Sequence, residues 1–410
     1  MKTIRLPSKS ITNRDFVLAA LTSQTILDIL ISDDTKHMMN ALNDIIKVEQ
    51  NTKAIIDVEK FTGEDKKLYI GQSTCMRFLT AMIILNKVSI TLTGEERLLQ
   101  RPMDLFDSLK QLVDIETNNF PPVKVTPSDL KTNKVKMNGT SSSQFFTALL
   151  QVAPVLEKLE IEVVDLVSKP YIDLTINELR KFSIVENDNY KYFKVLPQRY
   201  KPVNLLVEDA SALSYIVCFI ALHGGEIKIE NISNSKQDYR FLDEMKVFVE
   251  YESDESTIVR GPGITSPLTP LLKGEWNRVD LSRYMDYSVD FESMPDVSMS
   301  FMIMSIFLPK THITLQTLNL KECLRIDAMR DELRKIVEVE SDEKSITIGK
   351  IPHPNPLLQG DGIEIETYND HRIAMCFGVL NTFIGLNILN PNCVAKTYPN
   401  FWEDLEKLKS

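Results

Sequence analysis

An α/β (α+β) chain of two domains is what this sequence predicts, and three observations carry the prediction: its length, a regular exchange of strand-like and helix-like runs, and a polar seam near the middle. At 410 residues the chain exceeds what one hydrophobic core usually organises. Its 43% hydrophobic and 25% charged residues are those of a folded protein. Short β-rich runs predict strands: KLYIG at 67–71, VSITLTG at 88–94, KVKMNG at 134–139, IEVVDLV at 161–167, GEIKIENI at 225–232, HITLQTL at 312–318 and SITIG at 345–349. Between them, DLFDSLKQLV at 104–113, SQFFTALLQVA at 143–153, SALSYIVCFIAL at 211–222 and DAMRDELRKI at 327–336 predict helices. The seam falls near 200 to 212, where LPQRYKPVNLLVEDAS leads from a polar, Tyr- and Lys-rich stretch into a new apolar helix. VEYESDESTIVRGPG at 249–263 reads as a surface excursion inside the second domain.

The formal charge of −10 argues against a nucleic-acid partner, because backbone recognition needs a basic surface. A small anionic substrate is not excluded, since local basic charge in a cleft decides that. No stretch approaches the roughly 20 continuous apolar residues of a membrane span. MKTIRLPSKSITNRD lacks the apolar run of a secretory signal. Cys75, Cys218, Cys323, Cys376 and Cys393 are scattered, odd in number and without a CxxC pair. That predicts free thiols in a reducing compartment, the cytoplasm, rather than disulfides or a zinc site. Dinucleotide and P-loop signatures are missing from the sequence.

Four constellations look chemical. In SKSITNR, Ser10 and Arg14 are four apart and share a face if the segment opens a helix, with Thr12 or Asn13 as its cap. A cation in that first turn opposes the helix dipole and gains from a nearby anion. A solvated basic N-terminus is the plainer alternative. GTSSSQF, Gly139 to Phe145, runs into an apolar helix, where hydroxyls and free N–H groups make an anion site, or Ser142 or Ser143 simply caps. NLKECLRID sets Lys321, Glu322 and Arg325 together, either as a surface ion-pair lattice or as an acid-base group among phosphate clamps. In TYNDHRIAMCF, Asn369 or Asp370 can cap a helix whose first turn carries His371 and Arg372. Two positive fields there favour a neutral, hydrogen-bonding His371. SKPYID, Arg77, Arg101, Asp209, Asp296 and Lys396 each have a dull explanation alone. Together with the four constellations they read as a cleft for phosphate and carboxylate groups, with no metal cluster and no nucleophile elbow.

The ordered run of SKSITNR, STCMRFLTA, QRPMDLF, SSSQFFTALLQVAP, SKPYID, VEDASALSY, MPDVSMS, KECLRI, TYNDHRIAMCF and CVAKTYPNFWEDL resembles the 3-phosphoshikimate 1-carboxyvinyltransferases, the 5-enolpyruvylshikimate-3-phosphate synthases, along nearly the whole chain. The resemblance implies a two-domain inside-out α/β barrel, each domain of three βαβαββ units with helices inside and sheets outside. It implies lobes of 9–209 and of 1–8 with 210–410, closing around substrate. It further implies transfer of the enolpyruvyl group of phosphoenolpyruvate to the 5-hydroxyl of shikimate 3-phosphate, with release of phosphate, by a monomer without metal or organic cofactor. Ser142, Ser143, Ser168 and Lys321 would then hold the 3-phosphate, and Ser10, Arg14, Gln144 and Tyr171 the ring. Arg101, Arg325, Arg372, Lys396, Lys9 and Ser73 would bind phosphoenolpyruvate. Asp296 would deprotonate the hydroxyl. Glu322 would protonate the methylene, with Lys9 the second candidate and His371 in support.

The chain departs from the family pattern at several points. LPSKS lacks a glycine, VEDAS is a residue short, and Gly71-Gln72-Ser73-Thr74 replaces Asn-Ala-Gly-Thr, so Ser73 is expected to crowd the phosphoenolpyruvate site and weaken glyphosate. Leu324 stands in place of an aspartate, a loss expected to loosen Lys321 or Arg325. The sister family that uses UDP-N-acetylglucosamine carries a reactive cysteine in a mobile loop. The only cysteine in the first half here is Cys75, inside a helix-like segment. A non-catalytic anion-binding relative is the other rival, and the retained acid-base set argues against it.

Overall fold

The computed structural model of the chain describes residues 2–4, 8–21, 25–27, 30–42, 46–49, 53–56, 66–71, 73–83, 90–94, 96–101, 103–117, 120–125, 128–140, 142–156, 158–166, 169–180, 183–196, 209–229, 240–253, 257–264, 286–315, 318–320, 322–350 and 362–409. It falls into two compact units, Pro7–Leu206 and Val207–Ser410, the second completed by Met1–Leu6. Among the described residues each unit holds three small sheets, and four of the six share one topology. In it, two parallel strands lie side by side, and a hairpin adds its second strand antiparallel to one of them.

Lys66–Ile70 pairs in this way with Ile90–Gly94, followed by Ile115–Glu116 and Val123–Val125. Lys134–Gly139 pairs with Leu159–Leu166, followed by Val185–Asp188 and Tyr192–Val195. In the other unit, Tyr287–Asp290 pairs with Lys310–Thr314, and Lys2–Ile4 with Gly225–Ile229, each with its hairpin. Parallel neighbours need a crossover, and helices supply it: Ser73–Ile83, Ser143–Val152 and Pro295–Ser305.

The sheets present one face outward. Along Lys134–Gly139 exposed and buried residues alternate strictly, so Val135 and Met137 enter the core while Lys134 and Lys136 reach Glu160 and Glu162 on the neighbouring strand. The central helices have no such polar stripe. Ala210–His223, Pro295–Ser305 and His371–Ile384 pack on one another, and every residue of Pro295–Ser305 except Asp296 is buried. Its serines are satisfied within that core: Ser298 donates to Pro295 O at 2.7 Å, Ser305 to Phe301 O at 2.8 Å, and Ser300 bonds Ser214 at 2.7 Å. In the 7–206 unit Lys9–Ala20, Ser73–Ile83, Ser143–Val152 and Lys169–Arg180 play the same central part. Helices inside and sheets outside follow from these faces.

Two sequence expectations are corrected. The 249–263 segment is no excursion: Glu250–Ser253 and Thr257–Gly261 form a hairpin inside a four-stranded sheet, with Thr257 and Val259 buried. Its charged outward residues hid the period-two signal. The first helix begins at Lys9, so Ser8 rather than Thr12 or Asn13 meets its start, accepting from Ile11 N at 3.4 Å. Thr12 instead accepts from Leu30 N at 3.2 Å.

Candidate active site

In the 207–410 unit three helix starts bring charge to one place. Pro at N1 and Asp296 open the Pro295–Ser305 helix, Arg325 opens Arg325–Leu333, and Asp370 caps His371–Ile384 by accepting from Arg372 N at 2.9 Å. Arg325 is the hub, at 1% exposure. Its guanidinium donates to Asp370 at 2.7 and 3.2 Å, to Glu322 at 2.6 Å and to Asp296 at 3.2 Å. Arg372 approaches Asp296 Oδ2 at 3.3 Å and donates to the Asp296 carbonyl at 3.2 Å and to Tyr215 Oη at 3.3 Å. Lys396 donates to the other oxygen of Glu322 at 3.0 Å.

Among the described residues, three cations therefore face three carboxylates. Burial opposes the charge of Arg325, but Glu322, Asp370 and Asp296 outweigh it and raise its pKa above that of an ordinary arginine. The cation is fixed at any pH the protein meets. Burial foremost, against the pull of Arg372, keeps the Tyr215 hydroxyl protonated. His371 is buried, with Nδ1 4.0 Å from Asp370 Oδ1. This carboxylate joins the two positive fields expected around the ring from the sequence.

The expected loosening at Leu324 is not found for Arg325. Leu324 gives its helix no side-chain cap, but Asn319 Oδ1 accepts the Ile326 N–H at 2.8 Å, and three carboxylates hold the guanidinium. Cys323 lies beside the cluster, its thiol 3.7 Å from Asp370 Oδ2 and pushed up to about 12, mainly by burial and then by that carboxylate.

The 7–206 unit carries a second polar cluster. Lys9, in the first turn of its helix, donates to Asp34 at 2.6 Å, so the anion that this cation needed comes from within the chain. Asp34 sits in the first turn of Asp33–Ala41, whose start is closed by a Ser32–Thr35 capping box. Ser73 accepts from Arg101 at 2.9 Å. A Cβ on Gly71, two residues before it, would lie 2.2 Å from the His37 ring, so a side chain there requires that ring to swing aside. Ser142 caps Ser143–Val152, accepting from Gln144 N at 3.3 Å.

Arg14 is buried and bonded to its own fold: to Thr175 at 3.0 Å, Ser10 O at 2.6 Å and Tyr171 O at 3.3 Å. Burial, partly offset by Glu178, lowers its pKa to about 10. It ties the helix bearing Ser10 to the helix bearing Tyr171. Ser168, Lys321 and Gln72 lie outside the described residues. Asp34, Tyr215 and the ion-pairing of Asp370 escaped sequence reasoning, and only the run of two aspartates after Ser32 marked the first of them.

Two units of helices wrapped by outward sheets, one with Arg325 and Arg372 and the other with Lys9 in the first turn of a helix, have the fold of the enolpyruvyl transferases. The fold is shared with a solved EPSP synthase of Acinetobacter baumannii (TM-score 0.78, 21% identity, 99% of this chain and 95% of that one). It is also shared with the enolpyruvyl transferase NikO of Streptomyces tendae (TM-score 0.72, 14% identity, 100% and 94%). Among curated relatives, 3-phosphoshikimate 1-carboxyvinyltransferases of Haemophilus influenzae and Sulfurovum sp. are 38% and 34% identical over 99% of this chain and 96% of their own length. Residues 1–405 match the EPSP synthase (3-phosphoshikimate 1-carboxyvinyltransferase) family, and the chain belongs to it.

Proposed function

We propose that this chain transfers the enolpyruvyl group of phosphoenolpyruvate to the 5-hydroxyl of shikimate 3-phosphate, releasing phosphate, in aromatic amino acid biosynthesis. The observation that carries the reading is the Arg325 cluster, which joins the acid-base candidates Asp296 and Glu322 to the clamps Arg372 and Lys396 through bonds of 2.6–3.3 Å.

Phosphoenolpyruvate brings a phosphate and a carboxylate to cations that already hold Asp296 and Glu322. As the substrate takes Arg325, Arg372, Lys396 and Arg101, those carboxylates lose counter-charge, and each becomes a better proton acceptor. Asp296 takes the proton of the attacking 5-hydroxyl as its oxygen bonds to C2, and Glu322 delivers a proton to C3. Lys9 is the second donor candidate, and His371 supports the pair. The adduct then returns a C3 proton and expels phosphate into the same cations, which stabilise charge where it develops. Ser142, Ser143, Ser168 and Lys321 are assigned to the acceptor phosphate, and Ser10, Gln144 and Tyr171 to the ring. Arg14 acts there by holding Ser10 and Tyr171.

We assign the protein to the cytoplasm as a monomer; no helix among the described residues is long and apolar enough to cross a membrane. Phosphate release from purified protein tests the reaction. Release that needs both phosphoenolpyruvate and shikimate 3-phosphate is expected, and release from phosphoenolpyruvate only when UDP-N-acetylglucosamine replaces shikimate 3-phosphate would move the chain to the sister reaction.

The sister reading fails on Cys75. This residue is 1% exposed inside Ser73–Ile83, and burial, then Asp34, push its thiol well up. Native protein kept with iodoacetamide at pH 7.5 is expected to retain activity for hours, and rapid loss traced to Cys75 would revive that reading. Ser73 draws one donor of Arg101 onto its hydroxyl. Ser73→Gly frees that donor and opens the backbone, so glyphosate should inhibit the variant about tenfold more strongly. An unchanged inhibition constant would leave Ser73 without a part in inhibitor binding.

A further inference from the structure

Arg77 is assigned no part in the reaction above, yet it touches two of the acceptor-binding residues. From the Ser73–Ile83 helix its Nη1 donates to Ser142 Oγ at 3.1 Å and to Gln144 Oε1 at 2.5 Å. The Phe145 ring lies 4.8 Å from the guanidinium carbon and holds it in place. Gln144 Nε2 in turn donates to Thr74 at 3.2 Å.

These contacts decide polarity. A serine hydroxyl has two accepting lone pairs and one proton. Ser142 Oγ already accepts from Gln144 N at 3.3 Å as the helix cap, and Arg77 takes its second acceptor position. What remains to offer a third partner is the proton. A carboxamide can point either end at a neighbour, but an arginine accepts nothing, so only Oε1 can face Arg77. The NH2 end of Gln144 is thereby turned away, with one N–H on Thr74 and one left to donate. An anionic acceptor wants donors at both places. Remove the arginine and Ser142 is free to turn a lone pair toward the phosphate, and Gln144 its Oε1 toward the ring.

The charge setting agrees. Burial first, and then the neighbouring Arg101, hold the Arg77 guanidinium down to about 10 against the pull of Asp104, so an arriving anion relieves it. We propose that Arg77 is a positioning residue for the phosphorylated acceptor, fixing Ser142 and Gln144 as hydrogen-bond donors; this rests on the function proposed above.

The test is calorimetric titration of shikimate 3-phosphate into wild type, Arg77→Met and Arg77→Lys, beside steady-state kinetics. Arg77→Met is expected to weaken shikimate 3-phosphate about 10- to 100-fold, in KM as in Kd. The kcat and the KM for phosphoenolpyruvate should stay within about threefold, and shikimate without its phosphate, which keeps only the Gln144 contact to the ring, should lose less affinity than shikimate 3-phosphate. The lysine variant, which keeps the charge but not the fork, is expected about 3- to 10-fold weaker than wild type, and it carries the comparison if the methionine variant does not fold. In a Ser142→Ala/Gln144→Ala background Arg77→Met should have little further effect on Kd. Unchanged Kd in both variants, or the same loss in that background, overturns the inference. Wild type that fails to bind shikimate 3-phosphate overturns the function, and this proposal with it.

Discussion

Replacing Arg325 by leucine is expected to destabilise the 207–410 unit by about 3–5 kcal/mol, the cost of removing one partner from a buried ion cluster. The loss concentrates at Asp370. Glu322 and Asp296 are 27% and 17% exposed and keep Lys396 and Arg372 as partners. Asp370 is fully buried and, among the described residues, would keep the Arg372 backbone N–H, the distant Cys323 thiol and the His371 ring. Urea midpoints of wild type and variant measure the effect at pH 7.

The sign with pH follows from the cation. Because the folded pKa of Arg325 is raised, its contribution is complete at every pH below the unfolded value and is lost only in strong base. The deficit of Arg325→Leu should therefore be the same at about pH 6 and about pH 8, both far below that range. Asp370→Asn added to Arg325→Leu should recover about half of it at pH 7. A midpoint within about 0.5 kcal/mol of wild type would mean that water reaches the cluster and the carboxylates are not held by Arg325.

Glu322→Gln is expected to lower kcat by about 10²- to 10⁴-fold, the range for loss of a general acid-base group. Its effect on binding has the opposite sign. Glu322 occupies Lys396 and Arg325 at 3.0 and 2.6 Å, the two cations proposed above for phosphoenolpyruvate. An uncharged glutamine competes less, so KM for phosphoenolpyruvate should stay level or fall. That pairing of a lower kcat with an unweakened KM separates a chemical role from a clamping one. A raised KM with kcat intact would make Glu322 a binding group and pass the C3 proton to Lys9. Phosphoenolpyruvate binding to wild type should also take up protons, read from calorimetry in two buffers of different ionisation enthalpy.

Much of the fold was legible because its strands and helices carry strong local signals. The expected helix at 143–153 is Ser143–Val152, and the expected strands at 134–139 and 345–349 are found at those residues. Alternating or apolar-periodic patterns need no knowledge of the partner element. The hairpin within 250–261 was not legible, since its outward residues are charged and only pairing with Gly225–Ile229 and packing of the Ala210–His223 helix give Val259 a place to be buried. Helix capping by Ser142 and Asp370 was readable for the same local reason, and so were the residue types of the site.

What the sequence alone determined is which groups are present and in what order: an arginine after Lys321-Glu322, a histidine-arginine pair behind a capping aspartate, a lysine before Thr397. What the tertiary structure decided is which charges meet. Arg325 bonds carboxylates 29 and 45 residues away, and Arg77 bonds a hydroxyl and an amide 65 and 67 residues away. Charge pairing falls off over a few ångströms and has no period along the chain. A string of residues therefore states the chemistry available to this protein, and only the packing of its helix starts states which carboxylate each cation holds.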